Sequence, residues 1–202
     1  MLNSLKLFEK NIQDSAQLLA LFEFSSKNLP GMVFDDLLRA HLVYSVSAFD
    51  KLIHDIITLG MVEIFTNKRP ATPKYLNEGI SLEIHNKIAG ATIPPGEFYF
   101  ENEVVRKFSF LSFQEPDKVA DGLSFIWPES HKWHHIAASM GVDQHTAKTT
   151  LKTIVARRNQ IVHEADIDIA TGQKYLIDKT ETETACNFIF SCGQAIYNNV
   201  HI

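Results

Sequence analysis

The sequence predicts an all-α fold, and three observations carry the prediction. Apolar residues recur at steps of three and four through four separate segments, which places them on one stripe of a helix in each. These segments are bounded by residues that stop or start helices: Asn28-Leu29-Pro30-Gly31, Asp35-Asp36, Asn67-Lys68-Arg69-Pro70, Gly141 and Asp143. The 202 residues, 45% hydrophobic and 21% charged, supply enough apolar mass for one sizeable core, so a single domain over residues 1–202 is expected.

In chain order, the first helix carries Leu5, Phe8, Ile12, Ala16, Leu19 and Phe22 on one stripe and ends at Asn28-Leu29-Pro30-Gly31. A second, longer helix begins near Phe34-Asp35-Asp36, where the acids complement the positive helix end. It runs through Leu38, Leu42, Phe49, Leu52, Ile56 and Leu59 and closes at Asn67-Lys68-Arg69-Pro70. From Pro70 to Pro128 six prolines and Gly96 break the pattern into short pieces, some of them helical. Residues 70–128 are therefore expected to form an irregular Pro-rich insertion between the second long helix and the helices after it. Such an insertion would tune substrate or partner choice and leave the rest able to fold. Its aromatics, among them Phe98, Phe100, Phe108, Phe110, Phe113 and Phe125, are too many for a floppy linker and predict packing on the bundle or on a partner.

A helix over Ser130 to Met140 ends at Gly141. Asp143 then caps the next, whose apolar face is Ala147, Leu151, Ile154, Val155 and Val162. The acidic stretch Glu164 to Lys179 contains a Thr171-Gly172 turn, and Thr180-Glu181-Thr182-Glu183 reads as a capping box. The last helix buries Cys186, Ile189, Phe190, Gly193, Ile196, Tyr197 and Val200. Cys186 and Cys192, the only cysteines, are six positions apart on that helix, about 9 Å along its axis, too far for a disulfide. They read as buried thiols in a reducing compartment.

The bulk chemistry excludes several classes. No apolar run reaches the roughly 18–20 residues of a membrane crossing, and Met1-Leu2-Asn3-Ser4-Leu5-Lys6 lacks the layout of a signal peptide, so a cytoplasmic protein is expected. A net charge of −5 excludes a protein that coats nucleic acid through its phosphates and confines any RNA contact to a local cluster such as Lys148, Lys152, Arg157 and Arg158. Phosphate-binding glycine loops and the serine-hydrolase elbow are missing from the sequence. His131, His134 and His135 sit at i, i+3 and i+4 but lack a completing Cys or carboxylate, and they read as exposed imidazoles rather than a metal site. No metal or other cofactor is expected.

The segment Arg158-Asn159-Gln160-Ile161-Val162-His163 carries the chemistry. Arg158 and His163 are five positions apart, about 140° around a helix of roughly 3.6 residues per turn, so one straight helix does not aim both at one point. Asn159 and His163, four apart, share a face. A histidine can take the proton of a ribose 2′-hydroxyl or give one to a departing 5′-oxygen, and an arginine can hold charge gathering on phosphate. Those roles suffice for RNA transesterification without metal. On spacing alone, however, the pair most simply marks a helix end bearing a cation.

Ala156-Arg157-Arg158-Asn159-Gln160-Ile161-Val162-His163-Glu164 resembles the R-x4-6-H motif of HEPN domains, including the polar residue after the arginine. The earlier stretch Leu37 to Asp50, ending in Ser47-Ala48-Phe49-Asp50, resembles the long first-half helix of the RiboL-PSP-HEPN group. The two stretches of similarity run over roughly 34–63 and 133–200 and leave the Pro-rich middle uncovered. The resemblance implies a HEPN-like helical bundle that forms a homodimer, with two motifs facing each other across the two-fold axis. It also implies a metal-independent endoribonuclease in a toxin-antitoxin, phage-defence or RNA-processing setting. His163 would be the acid or base, Arg158 the phosphate clamp and Asn159 the residue orienting the imidazole. Lys152, Arg157 and Asp50 are secondary candidates for substrate contact, although Asp50 can equally be a surface acid paired with a lysine. Ala165 stands where some HEPN toxins place a tyrosine modified by the antitoxin, which argues against that chemistry and leaves a protein antitoxin as a partner. The alternative is a dimeric module with an inactive site, serving as an adaptor for a protein or nucleic-acid partner.

Overall fold

A computed structural model describes residues 1–201 and contains nine α-helices among them. In chain order these are α1 (Leu2–Asn28), α2 (Asp35–Phe65), α3 (Pro73–Leu76), α4 (Leu82–Ala89), α5 (Gly96–Phe108), α6 (Pro116–Leu123), α7 (Lys132–Ser139), α8 (Gln144–His163) and α9 (Lys179–Val200). Among the described residues the one pairing of extended chain is an isolated antiparallel bridge between Ile167 and Lys174. None of these helices is long and apolar enough to cross a membrane.

The centre of the bundle is α2, which touches α1, α5, α6, α8 and α9. Burial on several sides explains why its apolar residues do not form a single stripe: Leu38, Leu42, Val46, Phe49, Leu52, Ile53, Ile56, Ile57 and Met61 are all buried. α1 runs antiparallel to it, with Ser15 opposite His41 and Ser45. Along α1 the observed inner face keeps Phe8 and the half-buried Leu5, Ile12, Leu19 and Phe22, but Ser15 is buried and Ala16 exposed. α9 runs parallel to α2 and packs closely because position 193 is glycine: a Cβ there would stand 2.6 Å from the Phe8 ring and 3.1 Å from Leu52. Its cysteines are buried and free, and burial pushes the Cys186 thiol up to about 11 and Cys192 to about 12. The cap of α9 is Asp178, which accepts the Glu181 N–H at 3.0 Å; the helix therefore starts ahead of the expected Thr180 box.

Residues 70–128 hold α3 to α6, and the ends of this segment meet: the Thr72 hydroxyl donates to the carbonyl oxygens of Phe125 and Ser124 at 2.9 and 3.0 Å. Its interior belongs to the same core as the long helices. Phe100, Val104, Phe108, Phe113, Val119, Leu123 and Ile126 are buried with the residues of α2 and α9. Phe65 of α2 stacks on Phe100 at 4.5 Å between ring centroids, and a Cβ on Gly60 would meet Ile126 at 2.6 Å. Removing the segment would uncover the face of α2 that carries Ile57, Met61 and Phe65. Phe98 and Phe110 are the aromatics that remain exposed. At the end of α2 the buried Arg69 ties these parts together, donating to Glu63 at 3.0 Å and to the carbonyls of Ile126 and Val200 at 3.2 and 2.9 Å.

Candidate functional site

The motif occupies the last six residues of α8. Asp143 caps that helix, accepting the Thr146 N–H at 2.9 Å, and Ala147, Leu151, Ile154 and Val155 seat it on the core. Arg158 falls one turn beyond that stripe and is half-buried; Ile161 continues the inner face, while Val162, expected inside, is 46% exposed. The helix stays regular to His163, so the two motif side chains keep their separation of about 140° around the axis.

Arg158 Nη1 donates to Asn159 Oδ1 at 3.0 Å. Its Nε is buried with no hydrogen-bond partner among the described residues. His163 is exposed and sits in the last turn, where the helix dipole favours a cation. Asn159 lies one turn before it on the same face, and Lys152, eleven positions back, is within about 20° of His163 around the helix and roughly 16 Å along it. Lys152 is exposed on the wall of a cleft of about 530 Å³ shared with Glu115, Asp117, His145 and Lys148. Lys148 pairs with Asp117 at 2.9 Å, so that cleft carries both signs of charge.

Two secondary candidates are engaged by the scaffold. Arg157 is bound to Asp166 through both terminal nitrogens, Nη2 at 2.9 Å, and to the Leu176 carbonyl at 3.1 Å. Asp50 accepts the backbone N–H of Phe113 at 2.6 Å and stands 4.0 Å from His54 Nε2, while the neighbouring Lys51 pairs with Asp55. The sequence reading missed Asp166 and Arg39. Asp166 is fully buried and joins Arg157 to Arg39 of α2, whose Nε lies 2.6 Å away. Nothing local marks that pair, because 127 positions separate its members. His131, His134 and His135 lie around the start of α7, and His135 Nε2 is 3.5 Å from Glu129.

A family model described as RiboL-PSP-HEPN matches residues 3–200, and this match runs through the Pro-rich middle that the motif resemblance leaves uncovered. No curated protein and no solved structure matches the chain.

Proposed function

Since the chain belongs to the RiboL-PSP-HEPN family, we propose that it is a metal-independent endoribonuclease of the cytoplasm, acting as a homodimer in a toxin-antitoxin, phage-defence or RNA-processing system. The carrying observation is the contrast between neighbouring arginines. Arg157 spends its donors on Asp166 and Leu176, whereas Arg158 bonds Asn159 through Nη1 and keeps a buried Nε with no partner among the described residues, beside an exposed histidine helix end. A buried donor left unpaired costs about 1–3 kcal/mol, a cost that a swing of the side chain onto a substrate phosphate would relieve.

In the proposed reaction His163 takes the proton of a ribose 2′-hydroxyl and the 2′-oxygen attacks the adjacent phosphorus. The bond to the 5′-oxygen breaks, that oxygen takes up a proton, and the products are a 2′,3′-cyclic phosphate and a 5′-hydroxyl. Arg158 stabilises the charge on the non-bridging oxygens, and Asn159, on the histidine's face, orients the imidazole. Two motifs facing across a dimer axis would bring Arg158 of one copy to His163 of the other, and the imidazolium formed there hands its proton to the departing 5′-oxygen. Lys152, on the same helix face as His163, contacts a phosphate further along the strand.

The test is cleavage of tRNA, mRNA and rRNA pools in excess chelator. His163→Ala and Arg158→Ala should each lower the rate by about 100-fold or more with the fold intact, and the wild-type products should end in cyclic phosphate. Loss of activity in chelator, or full activity in His163→Ala, would overturn the site. The net charge of −5 favours a second reading, an inactive dimeric adaptor. Absence of cleavage on every RNA pool would select it.

A further inference from the structure

One buried carboxylate brackets the motif. Arg157 precedes the motif arginine by one position, Asp166 follows the motif histidine by three, and the two are joined by two hydrogen bonds. Asp166 also accepts Arg39 Nε at 2.6 Å, so α2 and α8 meet on a single acid that has no exposure to solvent. Arg39 completes its own bonds with the Tyr175 carbonyl and with the exposed Asp36, 3.3 Å away.

The backbone between His163 and this anchor is under constraint. Ala165 and Asp166 have φ of +52° and +59°, a region that side-chain-bearing residues rarely enter and hold only where their surroundings impose it. The turn they make lets the N–H groups of Glu164 and Asp166 both donate to the Gln160 carbonyl, at 3.0 and 3.2 Å, closing the last turn of α8. The Asp166 carbonyl in turn accepts the Tyr175 N–H at 2.8 Å. What imposes the turn is the pair of guanidiniums on two different helices.

We infer that Asp166 is the positioning residue of the site, clamping Arg157 to Arg39 so that the last turn of α8 stays wound and His163 stays placed. Its role in catalysis rests on the ribonuclease reading above; the clamp itself does not. The same contacts hold Arg157 away from substrate and leave Arg158 to bind phosphate. An asparagine at 166 would keep the shape but remove the charge that gathers two cations, and the left-handed turn would lose its anchor.

The test uses the full-length chain carrying Asp166→Asn and has two readouts. In the first, amide hydrogen exchange from Gln160 to Glu164 should speed up by about tenfold or more, with the buried half of α8, Ala147 to Val155, unchanged. In the second, kcat for RNA cleavage should fall by about tenfold or more while KM stays within about twofold, and Asp166→Glu should recover part of the loss. Unchanged exchange in a folded Asp166→Asn protein overturns the clamp, and an unchanged kcat, or a change in KM alone, overturns the positioning role. If Asp166→Asn does not fold, Arg39→Lys takes its place; it keeps the charge but cannot bond Asp166 and Tyr175 with one fork, and the same outcomes apply. A wild-type protein that cleaves no RNA removes the ribonuclease reading, and the exchange readout then decides the clamp alone.

Discussion

Burial sets the chemistry of single side chains in this bundle, and His41 shows it most directly. This histidine of α2 is buried, with Nδ1 3.1 Å from the Ser15 hydroxyl, beside Ser45 and with Glu183 of α9 nearby. Burial holds its pKa below the ordinary 6.5, against the Ser15 bond and the Glu183 charge, both of which raise it. A histidine depressed in this way binds protons more readily in the unfolded chain, so the stability it contributes is fully present above the unfolded value of about 6.5 and is lost as the pH falls from there through the lower folded-state value. The urea midpoint should therefore drop between about pH 7.5 and about pH 5.5, and His41→Gln should flatten that drop. An equal drop in the variant would show that another group is responsible. At the same scale, the sequence exposes Arg158, Asn159 and His163 because a motif is local, a few positions on one helix. It hides Asp166 because an acid after a helix end looks like solvent-facing charge until a fold brings Arg39 to it.

Helices and their ends were legible where the signal lies within the helix. Asp143 as a cap, Gly141 with φ +71° after α7, and the extent of α2 follow from residues a few positions away. The segment from 70 to 128 was not legible, and proline is the reason. Pro73 and Pro116 occupy first-turn positions of α3 and α6, and Pro95 caps α5, so residues that read as breakers are starters. Nor does composition tell whether aromatics pack on their own bundle. Gly122 measures that packing: a Cβ there would come within 2.7 Å of both Ile57 of α2 and the Phe113 ring. Gly122→Ala should destabilise the protein by about 1–3 kcal/mol by over-packing, read as a lower denaturant midpoint with unchanged slope. A neutral effect would mean that α6 does not sit against α2.

For the whole molecule, the family match over residues 3–200 treats the Pro-rich middle and the long helices as one unit, in keeping with their shared core. What one copy does not supply is convergence of the motif, because a regular α8 keeps Arg158 and His163 about 140° apart. A two-fold axis beside the end of α8 would set the arginine of one copy against the histidine of the other. Light scattering should then give a dimer at micromolar concentration, and a mixing experiment should show whether the site is shared. His163→Ala and Arg158→Ala proteins should each be nearly inactive alone, but after subunit exchange about half of the dimers contain one of each, and one of their two sites has both wild-type residues. Mixing should thus restore about a quarter of wild-type activity. A protein that stays monomeric, or a mixture as inactive as its parts, would place the whole reaction within a single chain and require Arg158 to reach around its own helix to the histidine.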